Sequence, residues 1–351
     1  MPNVPDRDVK PEILVYADEG AGTMCTRALV NSLRAACDLD RISIRTVTAT
    51  DLVPAGVEQA IQVAGTPGDR YLTFAGGPPA WTERAVAIAF PGGADRPWTR
   101  QLNGAGNLAI RHFVEQGGTY LGFCAGAYYA CERFTFEPDH PDPAWRITAT
   151  RELALFRGTA LGSLRELAKP YVLDELECTT TVPVQWLDPP IANPWAEVHE
   201  RTDDEMNATS SRRQDRLAAL QSGRDGDAMH LKPVPVLYWG GPCFVPDSDS
   251  TAELLGRYAG LSPERSIGIV RTRTGRGLAL LSGAHIEVSA ADYEQEGLRE
   301  LYDAERTRAV NPQQARFERN VQIMREAEPD RQRLFRRFLE AANLGRWLRA
   351  E

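Results

Sequence analysis

The hydrophobic positions of this chain come in short runs that repeatedly stop at glycine. "EILVYA" (12–17) reads as a strand, followed by a glycine-containing turn and a helical stretch through about Cys37. "ISIRTVTA" (42–49) alternates as a half-buried strand does. "YLTFAGG" (71–77) and "AVAIAFPGGAD" (85–95) each close an apolar run on glycines. In "GNLAIRHFVEQGG" (106–118) apolar residues fall at helical spacing before a Gly-Gly stop, and "TYLGFC" (119–124) is a strand again. Strands and helices in alternation predict a parallel α/β sheet. Ligands of such sheets bind beyond the carboxyl ends of the strands, where "PGG" and "FCAG" both fall.

The middle of the chain is less regular. A proline-rich loop (138–149) leads into "RITATRELALF", and the polar stretch 203–230 reads as a surface excursion. Strand-like runs return at 233–244, 266–272 and 277–285, with "TRTGRGLAL" (272–280) as a hairpin turn. After Val288 the chain turns helical, its apolar stripes those of docked helices. The expected organisation is a tail at 1–11, a single domain over 12–343 and a C-terminal tail at 344–351.

Composition alters this picture little. The 351 residues are 42% apolar and 25% charged, as in an ordinary globular protein. A net charge of −8 argues against nucleic acid or an anionic membrane as partner. No apolar run approaches the roughly 18 residues of a membrane span. "MPNVPDRDVK" lacks an apolar signal core, so a cytoplasmic location is expected. The six cysteines are scattered without CxxC or Cys/His clustering, which argues against both a zinc knuckle and a redox pair, and no metal or cofactor is expected. Taken singly, each thiol reads first as a small buried hydrophobe.

One cysteine does not fit that description. "GFCAG" (122–126) has the form Gly-x-Cys-x-Gly, in which glycines allow a tight strand-to-helix turn and the central residue is strained and exposed. A thiol at a helix start meets free N–H groups, and the Ala125 N–H points toward an oxyanion formed at that sulfur. A cysteine nucleophile needs a base, and the base an orienter. Of the five histidines, His285 in "LALLSGAHIE" lies at the end of an apolar strand with Glu287 two residues on. Positions i and i+2 of an extended segment share a face, so the carboxylate can orient the ring. "AFPGGAD" (89–95) adds backbone N–H groups at Gly92 or Gly93 for an oxyanion hole. The triad requires Cys124 and His285 to meet, which makes residues 138–265 an excursion from a continuous sheet.

Pro-Gly-Gly, the Gly-x-Cys-x-Gly elbow and a late His-x-Glu together resemble a class I glutamine amidotransferase-like domain. The nearer resemblance is to the N-terminal domain of eukaryotic, fungal-type biotin–protein ligase. It is carried by "FPGGADRPWTRQLNGAGNLAIRHFVEQGGTYLGFCAGAYYAC" (90–131), with "RELALFRGTALG" (151–162), "YWGG" (238–241) and "LLSGAHIE" (280–287) following in order. The resemblance implies a flavodoxin-like, mostly parallel sheet flanked by helices. It assigns Cys124 as nucleophile, His285 as base and Glu287 as orienter. Gly92, Gly93 and Ala125 fall on the oxyanion-pocket positions, and Asp95, Gly126, Tyr128 and Tyr129 are expected to line the pocket. Two positions differ: Tyr128 stands where working glutaminases carry Gln, and His-Pro-Glu is His-Ile-Glu.

Two functions follow as expectations. One is a Cys-His-Glu amide hydrolase or acyl transferase acting on a small-molecule or amide substrate, with a separate ligase or synthetase chain as partner. The other is a non-catalytic small-molecule-binding or regulatory module that keeps the pocket. No adenylate-forming pocket is legible after residue 131, so biotin ligase activity is not expected of this chain by itself.

Overall fold

The computed structural model of the protein describes residues 10–53, 61–64, 71–74, 78–171, 178–196, 232–304 and 312–350. The apolar runs become strands β1 (Glu12–Tyr16), β2 (Ser43–Val47), β3 (Ile61–Ala64), β4 (Tyr71–Phe74), β5 (Ala85–Phe90), β6 (Thr119–Phe123), β7 (Cys131–Phe136) and β8 (Ile147–Thr150). β9 (Phe156–Gly162), β10 (Thr180–Ala192), β11 (Val234–Tyr238), β12 (Cys243–Pro246), β13 (Glu253–Tyr258), β14 (Ile267–Thr274) and β15 (Gly277–Ser282) follow. The longer helices are α1 (Thr23–Ala36), α2 (Arg96–Leu102), α3 (Ala105–Glu115), α4 (Ala125–Ala130), α5 (Ala290–Ala304), α6 (Pro312–Glu326) and α7 (Glu328–Ala341).

Nine strands form one sheet, in the order β11-β10-β13-β14-β15-β6-β5-β1-β2. From β2 to β15 the neighbours run parallel. β14, β13, β10 and β11 then extend the sheet antiparallel, starting with a tight β14–β15 hairpin at Gly275. β1, β5, β6 and β15 are apolar over most of their length because helices cover both their faces, whereas β2 at the sheet edge keeps polar positions. Along β1, Ile13 and Val15 join Leu29 and Leu33 of α1 and Leu334 and Phe338 of α7 in one core. Leu14 and Tyr16 point the opposite way, joining Trp98 of α2 and Ile110 of α3 in the other. The two-residue period of a strand thus divides one apolar run between two cores.

Two expectations need correction here. Residues 138–265 are not simply an excursion, because β10, β11 and β13 within them pair into the main sheet. Others of them join β7 in a second sheet, ordered β12-β9-β7-β8. β7 starts where α4 ends, which ties that sheet to the elbow helix. Residues 344–350 are not a loose tail either. Leu344 and Leu348 are buried, the Asp38 N–H donates to the Trp347 carbonyl at 2.8 Å, and the Arg349 N–H donates to the Ala36 carbonyl at 3.0 Å. The polar stretch 203–230 and residues 1–9 of the N-terminal tail lie outside the described residues.

Candidate active site

The carboxyl ends of three adjacent parallel strands, β5, β6 and β15, build the site. β6 runs into Cys124, whose φ of 49° and ψ of −106° are a backbone state L-residues rarely adopt. Holding it costs on the order of 1–3 kcal/mol, which the packing around it must offset. The Cys124 N–H donates to the Ser282 carbonyl at 2.9 Å, continuing the pairing with β15. Close packing explains the flanking glycines. A Cβ at Gly122 would lie 2.6 Å from the Gly126 carbonyl oxygen, and one at Gly126 would lie 2.2 Å from that of Phe90. The Gly126 N–H donates to the Pro91 carbonyl at 3.0 Å, so this residue seats α4 on β5 and does not line a pocket.

His285 arrives by a route the strand reasoning did not foresee. β15 stops at Ser282, and His285 makes an isolated bridge to Leu237, its N–H on the Leu237 carbonyl at 2.9 Å. A turn, not an extended segment, then brings Glu287 back to the ring. His285 Nδ1 and Glu287 Oε1 are 2.8 Å apart, with 1% and 0% of the two side chains exposed. Ser32 Oγ donates to the Glu287 carbonyl at 2.6 Å, and Arg331 Nη1 donates to the Ile286 carbonyl at 2.8 Å, so the turn is pinned from behind. Burial alone would pull the His285 pKa down. Glu287, Cys124 and Cys25 outweigh it and hold the pKa well above the ordinary imidazole range. The ring stands directly over Gly92, where a Cβ would come within 2.5 Å of Cε1. Cys124 itself is 7% exposed, and its thiol donates to the Trp239 carbonyl at 3.4 Å.

The other predicted site residues separate into two groups. Ala125 contributes one of the first-turn N–H groups that have no acceptor within the helix, and Gly92 lies against the imidazole. Tyr128 is near Cys124, its hydroxyl donating to the Gly240 carbonyl at 3.0 Å and its ring edge-on to Phe134 and Phe136. Burial raises its pKa well above the usual phenol range, so it remains a donor. Gly93 faces elsewhere: at φ 146°, its Cβ would strike the Gly20 carbonyl oxygen at 2.1 Å, so it packs on the loop after β1. Asp95 is held by Arg151 at 2.7 and 3.0 Å. Tyr129 is a core residue, its hydroxyl donating to Asn107 Oδ1 at 2.7 Å and its ring stacked on Phe90. Neighbouring helical positions point about 100° apart, and here that sends Tyr128 toward Gly240 and Tyr129 toward Asn107 and Phe90. Among the described residues, no group of three His, Cys, Asp or Glu side chains is placed to hold a metal ion. No helix there is long and apolar enough to cross a membrane.

Sequence comparison adds a family to this geometry. Residues 78–166 match the family described as biotin-protein ligase, N terminal. The chain resembles the N-terminal domain of biotin–protein ligase. A biotin–protein ligase of Schizosaccharomyces pombe is 25% identical over 211 residues, 60% of this chain and 27% of that protein. An uncharacterized protein of Chlamydia muridarum is 40% identical over 94 residues, 26% of this chain and 35% of its own length. The chain therefore spans about a third or less of these curated relatives. Among solved structures, a glutamine amidotransferase from Thermotoga maritima aligns over 95% of this chain and 98% of its own, with a TM-score of 0.45 and 10% identity. The biotin–protein ligase match takes in Gly92, Cys124 and Ala125 but stops well before His285 and Glu287.

Two residues at the site went unread in the sequence. Cys25, in the first turn of α1, puts its sulfur 2.9 Å from where a Gly92 Cβ would be. Trp239 offers its carbonyl to Cys124 while its side chain packs beside the cluster containing Met24, Cys25 and Val288. The available signals were "GAGTMC" after β1 and "YWGG" after β11, each a glycine-rich turn at a strand end.

Proposed function

We propose that the chain is a cysteine-dependent amide hydrolase or acyl transferase working through a thioester on Cys124. One observation carries the reading: a thiol on a strained strand-to-helix turn faces an imidazole whose Nδ1 lies 2.8 Å from a buried carboxylate. In the first step the Cys124 thiolate attacks the carbonyl carbon of an amide. The C–N bond breaks, and His285 gives its proton to the leaving nitrogen. In the second step water or an acceptor passes a proton back to His285 and attacks the thioester, which frees Cys124. Glu287 keeps the ring in one tautomer and orientation. The Ala125 and Gly92 N–H groups stabilise the tetrahedral oxyanion. A small-molecule or amide substrate would enter beside Tyr128 and Trp239. A separate ligase or synthetase chain would take the product, in line with the likeness to biotin–protein ligase.

The burial of Cys124 and the aromatic side chain at position 128 favour a second reading, a binding or regulatory module that keeps the pocket. Peptide-mapped labelling with iodoacetamide at neutral pH separates the two. Under the enzymatic reading, Cys124 alkylates at least about tenfold faster than Cys25, Cys37, Cys131, Cys178 or Cys243. Labelling of Cys124 no faster than these others would leave the binding module as the better description.

A further inference from the structure

A thioester mechanism needs one sulfur and one base, yet two sulfurs meet this imidazole. Measured from the point a Gly92 Cβ would occupy, His285 Cε1 is 2.5 Å away, Cys25 Sγ 2.9 Å and His285 Nε2 3.4 Å. The Cys25 sulfur and the ring therefore share the space above Gly92. Nδ1 is committed to Glu287, so the opposite edge of the ring serves both Cys25 and Cys124. Trp239 closes the pair from one side, its carbonyl on the Cys124 thiol and its side chain against the cluster that contains Cys25. Cys25 and Cys124 are 6% and 7% exposed, so small reagents reach them more readily than bulky thiols, and the practical thiol partner of each is the other.

We propose that Cys25 is a resolving thiol for Cys124, turning oxidation of the nucleophile by a hydroperoxide into a reversible Cys25–Cys124 disulfide. The Cys124 thiolate attacks the peroxide, an S–O bond forms and the O–O bond breaks, and the departing alkoxide or hydroxide takes a proton from His285. Cys25 then gives its proton to His285 and attacks the sulfenic sulfur. The S–S bond forms, the S–O bond breaks, and the hydroxide leaves as water with that proton. Two thiols are oxidised, one peroxide is reduced, and a dithiol reverses the change. Condensation outcompetes further oxidation to sulfinic acid, which is irreversible for most proteins. The disulfide leaves no free sulfur to form a thioester.

The proposal rests on the reading of Cys124 as a reactive thiolate, and the test keeps the two apart. The full chain is first labelled with iodoacetamide, and a second sample is treated with stoichiometric hydrogen peroxide and mapped without reduction. The expected result is rapid labelling of Cys124 before oxidation. After oxidation the chain should lose two hydrogens in mass, carry a linked pair of Cys25 and Cys124 peptides, and lose Cys124 labelling at least tenfold. A phosphine reductant should restore it. In Cys25→Ser and Cys25→Ala, given two or more equivalents of peroxide, Cys124 should instead gain two oxygens that the reductant does not remove. Rapid labelling of Cys124 with no Cys25 link, or a link to another cysteine, would overturn the proposal and leave the thiolate reading intact. A Cys124 inert to both reagents would overturn the thiolate reading and the proposal with it. The peptide map of the unmutated chain decides even if either variant folds poorly.

Discussion

One six-residue helix has a cysteine at each end, and the two have little in common. Cys124 precedes α4 with its backbone forced to positive φ, and His285 lies beside its sulfur. Cys131 follows α4 in ordinary extended backbone, fully buried, its thiol donating to the Ala127 carbonyl at 3.2 Å. Burial pushes the Cys131 pKa well above the usual thiol range, and no charged neighbour opposes it. Residue type is the same at both ends. The converging chain is what differs: β5, β15 and the β11 end reach the first cysteine, while the second meets only core. Reactivity here is a property of strand ends brought together.

The largest expected break in that contrast is removal of the base. In His285→Ala, iodoacetamide labelling of Cys124 at neutral pH should fall about a hundredfold, the lower range for a positioned proton acceptor. Cys131 should stay unlabelled in both proteins. Burial also holds Cys37 up at about 11 and Cys243 at about 12, so neither competes for the reagent. Equal labelling of Cys124 and Cys131 would erase the distinction. Glu287→Gln keeps the ring in place but weakens a charged hydrogen bond, so labelling should slow roughly tenfold.

The third test acts on the backbone. Gly126→Ala forces a methyl against the Phe90 carbonyl, so α4 must shift or strain. Overpacking of this kind costs about 1–3 kcal/mol, readable as a lower denaturation midpoint. The elbow should loosen as well, with Cys124 labelling altered while Cys131 stays silent.

The elbow was legible in the sequence because two glycines and a cysteine leave few alternatives at a strand-to-helix turn. The parallel strands were legible for a similar reason, since runs such as "TYLGF" and "GLALLS" are apolar on both faces. β10 and β13 were not, because Pro183, Asp188, Pro189 and Pro190 interrupt the β10 run and Gly256 and Arg257 the β13 run. The contact between His285 and Glu287 was foreseen, but its geometry was not. A two-residue spacing also fits a turn, and only the Leu237 bridge and the Arg331 hydrogen bond decide between the two. Cys25 was hidden for a deeper reason. It comes near Cys124 through the turn that follows β1, almost 100 residues earlier, and no local pattern records that approach.

Acidity offers a finer probe of the same contrast. The folded chain holds His285 protonated above the ordinary value of about 6.5, whereas the unfolded chain releases that proton. The resulting stability is complete below pH 6.5 and is lost as pH rises through the elevated folded value. Between pH 6.5 and 8 the melting temperature should therefore fall by about 2 °C per pH unit more in the wild type than in His285→Gln. Cys131→Ala should leave that slope unchanged, since burial keeps its thiol protonated throughout the window. Equal slopes in wild type and His285→Gln would mean that the imidazole is neutral in the folded chain.

The smallest effects should come from the two tyrosines within α4, and they sharpen the contrast most. Tyr128 shares the Cys124 side, its hydroxyl on the Gly240 carbonyl, while Tyr129 bonds Asn107 on the side packed by Phe90 and Trp98. Tyr→Phe at either position removes one buried hydrogen bond and should cost about 1 kcal/mol in denaturant unfolding. The consequences at the thiol should diverge. Tyr128→Phe frees the Gly240 carbonyl, which adjoins the Trp239 carbonyl that holds the thiol, so Cys124 labelling should change by about two- to fivefold, worth under 1 kcal/mol. Tyr129→Phe should leave the labelling rate within error, because the lost hydroxyl bonds Asn107 away from Cys124 and the ring that remains keeps its stacking on Phe90. A changed rate in Tyr129→Phe with none in Tyr128→Phe would reverse the assignment of pocket and core along this helix.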